Sequence, residues 1–577
     1  MIARFQSIYD IANLCAKKGL TQAVLCPGSR CAPLTLAFTR HPNIQCRTIS
    51  DERSAAFIAL GISQQLKQPA ILLCTSGTAA CNFSPAVAEA YFSKRPLVVF
   101  TADRPTEWIG QQDGQTIFQT DVFGKHVKKS YQLPQEYEHQ DNVWAITRMV
   151  NEAINFSRQE PQGPVHINVP FREPLYPAAN EQVFFSDAIR VMEDNASPGT
   201  LDDSQKKLIS DAWFQFHNVL LVAGQLDFDE PITHSLNRFF SIHNVPIVGD
   251  IISNLHPIEK TVRHADLFLG QCPEEILKTL KPDLLITFGD STISKNLKLF
   301  LRKYKPAEHW HIQHAGFVAD TFQSITKIIR TSPVHFFDFL SSIPQQNNFE
   351  TQKQNNYNKL WEVEERRACR VLNEYFPCDD LGELELVKEI IGNVPPGSNL
   401  HVANSMSVRY ANFIGLTSHQ HTIKVFANRG TSGIDGCTST SIGHSLTSNI
   451  PNVLVTGDLA FFYDRNAFWH NYALPHFRAL VLNNHGGIIF KMIDGPGDVP
   501  EAKEYFITDQ RLNAKNLCNE FGIEYLKVDN RRKLKNVVRD FFEFDGKPKL
   551  LELESDLMMN KKIFDNLKQK IRKSYEL

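Results

Sequence analysis

Two strand-like runs in the last third of the chain end in residues that could ligate a cation. Val453-Leu454-Val455-Thr456 leads into Gly457-Asp458, and Leu480-Val481-Leu482 leads into Asn483-Asn484-His485-Gly486-Gly487. In a parallel sheet both ends would lie at the C-terminal edge, where open α/β sheets bind ligands. A carboxylate (Asp458), an amide oxygen (Asn484) and a loop carbonyl (Gly486) suit a hard octahedral cation. Mg²⁺ keeps such partial protein coordination while phosphate oxygens complete its shell. Aspartate after glycine is also a common turn residue or helix cap, so the metal reading rests on the pair of loops and not on the dipeptide.

A second segment, Asn428-Arg429-Gly430-Thr431-Ser432-Gly433-Ile434-Asp435-Gly436, has glycines spaced Gly-x-x-Gly-x-x-Gly. That spacing is neither a dinucleotide fingerprint nor a P-loop. An ordinary loop-to-helix turn would explain the glycines but not the bulky Ile434 among small residues, nor Arg429, whose fork can hold an anion.

Near the N-terminus, Asp51-Glu52-Arg53 precedes a helical run from Ser54 to Gln65. Acids in a first helical turn ordinarily serve the helix dipole, so Glu52 read alone is a capping residue. Cys26-Pro27-Gly28-Ser29-Arg30, Thr75-Ser76-Gly77-Thr78 through Asn82, and Thr101-Ala102-Asp103-Arg104-Pro105 read as strand-to-helix loops. Their amides and hydroxyls either bind an anion or cap a helix.

The elements that must position these loops follow one rhythm. Short aliphatic runs alternate with longer amphipathic ones at Ala23–Leu25, Ile71–Leu73 and Leu97–Phe100, again from Val219, Val245 and Leu284, and again from Leu400, Val453 and Leu480. Such alternation predicts βαβ units, hence an α/β fold with three doubly wound parallel sheets. Two polar stretches, Glu193–Lys206 and the Gln/Asn-rich Pro344–Asn358, predict boundaries near 190 and 360. The tail from Asn560 to Lys573 carries Ile563, Leu567 and Ile571 four apart and reads as a packed terminal helix with a solvated lysine face.

Composition narrows the function. The chain has 577 residues, 42% of them apolar and 21% charged, enough for several cores. A net charge of -2 offers no basic excess for nucleic acid or an anionic membrane. The start lacks the apolar stretch of a secretory signal, and Ala70–Ala88 is broken by Thr75, Ser76, Gly77, Asn82 and Pro85, so neither export nor a membrane span is expected. Eleven cysteines without a Cys-x-x-Cys pair read as buried, reduced thiols of a cytoplasmic protein.

Taken together, these segments resemble the thiamine-diphosphate-dependent enzymes of the decarboxylase superfamily, and within it the synthases of menaquinone biosynthesis that join 2-oxoglutarate to isochorismate. The likeness rests on Pro27-Gly28-Ser29-Arg30 with Ala32-Pro33-Leu34, on Asp51-Glu52-Arg53, on Thr75 to Ala79 and on Thr101 to Pro105. In the C-terminal part it rests on Asn428 to Gly436 and Asn483 to Phe490. The middle third contributes only Phe288-Gly289-Asp290 through Lys295.

The resemblance implies a pyrimidine-binding domain (1–190), a central domain (191–360) and a diphosphate- and Mg²⁺-binding domain (361–577). It implies that Glu52 contacts N1′ of the aminopyrimidine of thiamine diphosphate and promotes removal of the thiazolium C2 proton. Ile434 would enforce the bent cofactor shape. Thr75, Asn82, Gly430 and Ser432 would line the cofactor site. Asp458, Asn484 and the Gly486 carbonyl would ligate Mg²⁺, or Mn²⁺ in its place. The substrate positions are Ser29, Arg30, Arg104, Gln115, Lys295, Ser405, Arg409 and Arg429, with Ile489 and Phe490 as an apolar wall. Two dicarboxylates, 2-oxoglutarate and isochorismate, bring a formal charge of about -4, which the four arginines and the lysine would offset. Asp103 is an acid placed to compete for Arg104. The family pairs domains from different chains, which implies a homodimer or dimer of dimers with the site between chains.

Several positions depart from the family pattern: Leu459 follows Gly457-Asp458 where a glycine is commoner, Asn296 stands where some relatives carry a second basic residue, Gly114 precedes Gln115, and His485 sits between Asn484 and Gly486. Two other readings are another enzyme of the superfamily, such as a simple 2-oxoacid decarboxylase or an acetohydroxyacid-synthase-like ligase, and a catalytically silent paralogue. The first lacks the simple decarboxylases' adjacent His-His pair here and leaves the arginines unexplained. The second fits poorly with retention of Glu52, Asp458 and Asn484 together.

Overall fold

The computed structural model describes residues 5–177, 183–194, 199–343, 348–492, 497 and 499–576. Met1–Arg4 and parts of both polar stretches, 195–198 and 344–347, lie outside the described residues.

Three six-stranded parallel sheets flanked by helices form the α/β fold that the strand rhythm predicts. The first holds β1 (Gln22–Leu25), β2 (Gln45–Thr48), β3 (Ala70–Cys74), β4 (Leu97–Asp103), β5 (Ser130–Gln132) and β6 (Val165–Pro170) in the order β2-β1-β3-β4-β6-β5. The second holds β7 (Val219–Ala223), β8 (Ile247–Gly249), β9 (Thr261–Val262), β10 (Leu284–Phe288), β11 (Glu308–Ile312) and β12 (Lys327–Ile329) in the order β12-β11-β10-β7-β8-β9. The third holds β13 (Asn399–Val402), β14 (Lys424–Phe426), β15 (Asn452–Gly457), β16 (Phe477–Asn483), β17 (Glu524–Val528) and β18 (Lys549–Glu554) in the order β14-β13-β15-β16-β18-β17.

The first and third sheets therefore share one strand order. Each reverses direction of winding between its first and third strands in sequence, and the loops leaving those strands flank the crevice where such sheets bind ligands. The central strands β3, β4, β10 and β16 are buried throughout, as parallel strands covered on both faces must be.

By contact the chain divides into two compact units. One comprises Met1–Ala196, Asn428–Asn449 and Ala460–Phe477; the other comprises Ser197–Ala427, Ile450–Leu459 and Arg478–Leu577. The core of the first gathers Ile71, Leu73, Val98 and Phe100 with the helix Gln6–Lys17. The second has separate cores beneath its two sheets, around Leu221, Ile286 and Trp310 and around Leu400, Val455 and Leu480.

Part of the Gln/Asn-rich stretch is not a loop. Residues 348–358 are the first turns of a 28-residue helix, Asn348–Tyr375. Its composition hides a buried stripe: Tyr357, Trp361, Ala368, Val371, Leu372 and Tyr375 are all buried, at spacings that put them on one face. The terminal helix Leu557–Lys573 buries Ile563, Leu567 and Ile571 as their spacing predicts. No helix among the described residues is long and apolar enough to cross a membrane. Seven of the eleven cysteines are buried, three are half-buried, and Cys81, against the expectation of buried thiols, is exposed.

Candidate active site

In the first unit the candidate residues follow the C-terminal ends of successive strands. Ser29 and Arg30 follow β1, Glu52 follows β2, Thr75 follows β3 and Arg104 follows β4. Glu52 opens the helix Glu52–Leu66, but it does not cap it. Asp51 is the N-cap, accepting the Ser54 amide at 3.0 Å through Oδ1 and the Asn466 side chain at 2.7 Å through Oδ2. The capping role expected for Glu52 read alone thus belongs to its neighbour. Glu52 is half-buried, and its Oε2 accepts a hydrogen bond from Asn82 Nδ2 at 3.3 Å.

Gly28 and Gly77 shape the adjoining loops. A Cβ on Gly28 would stand 2.3 Å from the Thr75 Cβ, so only glycine lets these two loops touch. Gly77 has φ +86°, its amide donates to Gln119 Oε1 at 2.7 Å, and a Cβ there would lie 3.4 Å from the Gln115 backbone. Thr75 Oγ1 and Ser76 Oγ are buried without a hydrogen-bond partner.

Two of the candidate arginines of this unit are engaged locally. Arg30, 4% exposed, donates to the Phe171 carbonyl at 3.0 Å and to Glu173 at 3.3 Å. Arg104 donates to the Gly114 carbonyl at 2.8 Å and pairs with Asp113 at 3.4 Å. The acid competing for its guanidinium is therefore Asp113. Asp103 instead accepts the Arg104 backbone amide at 2.7 Å and the Asn168 side chain at 2.7 Å, which occupy both of its oxygens. Ser29 and Gln115 are exposed.

The glycine-rich loop is tethered by a residue without a sequence motif, Glu89. This carboxylate is 1% exposed; Oε1 accepts the Gly430 amide at 2.8 Å, and Oε2 accepts the Thr431 amide at 2.6 Å and hydroxyl at 2.7 Å. Burial pushes the Glu89 carboxyl above its usual range, opposed by those hydrogen bonds and by Arg429. A Cβ on Gly430 would meet the Glu89 carbonyl oxygen at 2.6 Å, so the glycine is needed for close approach. Beyond it, Ser432 has φ +62° and Ile434 is 37% exposed, a large apolar side chain held out of the core. Asn428 donates to Thr440 at 2.9 Å, closing the loop onto the following helix.

In the second unit, Asp458 follows β15 and Asn484 follows its neighbour β16, both buried. Asp458 Oδ1 accepts the Leu459 amide at 2.8 Å, and Oδ2 accepts Gln510 Nε2 at 2.7 Å. Burial raises its pKa, while Gln510 and the amides of Leu459 and Gly486 lower it. Gln510 also donates to Asn483 Oδ1 at 3.1 Å, and its own amide bonds the His485 carbonyl at 3.0 Å, binding the two loops together. Asn484 Nδ2 donates to Glu383 Oε1 at 2.7 Å, whereas Asn484 Oδ1 is buried and accepts from nothing. A buried acceptor without a donor costs free energy unless something electropositive meets it. That orphan, with the buried Asp458 carboxylate at the end of the neighbouring strand, offers the kind of donors a hard divalent cation would use.

Lys295 opens the helix Lys295–Lys303 beyond β10 and is exposed. The adjacent Asn296 does not replace a basic contact. Its amide bonds Asp266 Oδ1 at 2.8 Å and its side chain bonds the Asp266 carbonyl at 2.7 Å. Burial pushes Asp266 up to about 6, with Arg409 opposing. Arg409 donates to the Ser405 carbonyl at 2.5 Å, and burial lowers its pKa while Asp266 raises it. Ser405, at φ +69°, is the N-cap of that helix, Met406–Ile414. Ile489 and Phe490 begin the short helix Ile489–Met492, where the Phe490 ring lies 5.9 Å from that of Phe506.

Sequence reasoning missed Glu89, Glu383 and Gln510. Glu89 and Glu383 carry no signal beyond an acid within or opening an apolar helix, and Gln510 lies in a segment without regular spacing.

Known proteins match the sequence over nearly its whole length. Residues 9–125 match the N-terminal TPP binding domain of thiamine pyrophosphate enzymes, and residues 197–402 match the middle domain of thiamine pyrophosphate enzymes. A 2-succinyl-5-enolpyruvyl-6-hydroxy-3-cyclohexene-1-carboxylate synthase of Cytophaga hutchinsonii is 43% identical over 571 residues, 99% of this chain and 100% of that one. The chain belongs to this synthase family. Synthases of the same name from Flavobacterium johnsoniae (35% identity, 96% of each chain) and Bacteroides thetaiotaomicron (36%, 98% and 99%) are similar over equal extents. Like the rest of the synthase family it is a thiamine-diphosphate-dependent enzyme, and the loops after β1 to β4 lie within or beside the matched TPP binding domain.

Proposed function

We propose that the chain catalyses decarboxylation of 2-oxoglutarate and 1,4-addition of the remaining succinyl unit to isochorismate, giving 2-succinyl-5-enolpyruvyl-6-hydroxy-3-cyclohexene-1-carboxylate and CO₂ in menaquinone biosynthesis. The end-to-end similarity to synthases of that name carries this reading. Three segments, 1–190, 191–360 and 361–577, would serve as pyrimidine-binding, central and diphosphate-binding domains of a cytoplasmic homodimer or dimer of dimers with its sites between chains.

Bound thiamine diphosphate supplies the electron sink that loss of CO₂ from a 2-oxoacid requires. Glu52 would share a proton with N1′ of the aminopyrimidine; Asp51 carries the helix cap, which leaves the Glu52 carboxylate free of that role. Thr75, Asn82, Gly430 and Ser432 would line the cofactor, and Ile434 would pack against it from a loop that Glu89 fixes. Asp458, Asn484 and the Gly486 carbonyl would hold Mg²⁺ or Mn²⁺, which would neutralise the diphosphate charge, a role the orphaned Asn484 oxygen supports. Arg30, Arg104, Lys295, Arg409 and Arg429, with Ser29, Gln115 and Ser405, hold the substrate carboxylates. Ile489 and Phe490 form the apolar wall that excludes water.

The test is isochorismate consumption followed spectrophotometrically with thiamine diphosphate, Mg²⁺ and 2-oxoglutarate, with each omitted in turn and CO₂ measured in parallel. Consumption that needs all three is expected. CO₂ release without loss of isochorismate would make the protein a decarboxylase.

A further inference from the structure

Glu383 opens the helix Glu383–Asn393 and is 1% exposed, an unusual place for a carboxylate. It lies 101 residues from Asn484 in sequence and accepts that residue's Nδ2 at 2.7 Å. Its own position is fixed from behind. The Glu383 amide donates to Asn560 Oδ1 at 2.9 Å, and Asn560 Nδ2 donates to Ser555 Oγ at 2.8 Å. Ser555 in turn reaches Glu383 Oε1 at 3.5 Å.

A primary amide has two faces of opposite polarity, and a half-turn exchanges them. By accepting Nδ2, Glu383 settles which face of Asn484 points away from it: the oxygen, which is buried and unpartnered. In the reversed orientation Oδ1 would face Glu383 Oε1, two acceptors at hydrogen-bond distance, and the NH₂ group would take the place of the buried, unpartnered oxygen. Reversal would thus replace one satisfied contact with a repulsive one and would present a donor where a cation needs an acceptor.

We propose that Glu383 is a positioning residue for a divalent-cation site, holding Asn484 so that its amide oxygen, and not its nitrogen, is offered to the metal. This rests on the reading of Asp458, Asn484 and Gly486 as cation ligands. Residues behind metal ligands commonly set ligand orientation, and their loss costs about 10–100-fold in metal affinity.

The experiment is direct titration of the full-length protein with Mn²⁺ in the presence of thiamine diphosphate, free Mn²⁺ being read by electron paramagnetic resonance, without any turnover. Glu383→Ala is expected to weaken Mn²⁺ binding about 10–100-fold. Glu383→Met, which keeps the volume but deletes the acceptor, should do the same and serves where alanine leaves a cavity too large for folding. Glu383→Gln keeps an accepting oxygen and should recover most of the affinity. Thermal unfolding without metal, measured alongside, separates loss of orientation from loss of fold. Asp458→Asn is the control for the ligand reading. Weakening by Asp458→Asn with wild-type affinity in a folded Glu383→Met would overturn the role of Glu383 alone. Wild-type affinity in Asp458→Asn, or no Mn²⁺ binding by the wild type, would overturn the cation site itself and this proposal with it.

Discussion

Gly61 and Gly443 meet backbone to backbone. A Cβ on Gly61 would stand 3.1 Å from the Gly443 Cα and 2.0 Å from the Thr440 carbonyl oxygen, and one on Gly443 would stand 2.2 Å from the Ile58 carbonyl oxygen. The two helices so joined, Glu52–Leu66 and Cys437–Ser445, begin at Glu52 and just after the glycine-rich loop. Their closeness fixes the spacing between two segments proposed to hold the cofactor. Alanine at either glycine must push the helices apart, and overpacking of this kind typically costs about 1–3 kcal/mol. Gly61→Ala and Gly443→Ala should each lower the urea midpoint, and the double variant should cost less than the sum, since the first substitution already separates the helices.

Glu52 and Asp51 should separate cleanly under mutation. Glu52→Gln should leave thermal stability near wild type while lowering turnover by at least about 100-fold, the usual contribution of a positioned acid or base. Asp51→Ala should cost about 1 kcal/mol of stability through the lost cap. Near-normal turnover in Glu52→Gln would remove that residue from its proposed role.

Glu89 accepts from two backbone amides with its two oxygens. Glutamine in its place can accept only one of them and turns an NH₂ group toward the other. Glu89→Gln should destabilise the protein by about 1–3 kcal/mol, the cost of a buried donor left unpaired. It should also raise the concentration of thiamine diphosphate needed for half-saturation, measured by fluorescence titration.

His264 and Glu365 give a pH dependence of known sign. His264 Nδ1 lies 2.7 Å from Glu365 Oε1, both side chains nearly inaccessible. Burial disfavours the charged imidazole, but the Glu365 carboxylate, with Cys369, outweighs it and raises the pKa to about 10. A folded-state pKa above the unfolded value of about 6.5 means the stabilisation is complete below that pH and is lost as pH rises toward 10. Urea midpoints of the wild type should therefore fall between pH 7 and pH 10. Glu365→Gln should be less stable at pH 7 and show a shallower fall; parallel curves for the two proteins would refute the pairing.

How far the sequence alone reached follows from the range over which each signal acts. The α/β class, the three strand series and the buried stripe of the terminal helix were legible because periodicity is local: a parallel strand buried on both faces is apolar wherever it lies. The candidate loops were legible for a related reason, since residues just after a parallel strand must fall at one edge of the sheet. Asp458 and Asn484 follow neighbouring strands, so their adjacency was implicit in the order of the chain. The helix over 348–358 was not legible, because its polar composition masks a stripe that only burial reveals.

Tertiary structure alone decided which charges are committed. Glu89 meets Gly430 across 341 residues and Glu383 meets Asn484 across 101. No local pattern encodes such a partner, because the desolvation that makes each contact matter exists only once the chain is folded. The same holds for Asp51, which took the cap from Glu52, and for Asp113, which took Arg104 from Asp103. Each pair offers two carboxylates within reach in sequence, and only the geometry of packed backbone selects between them.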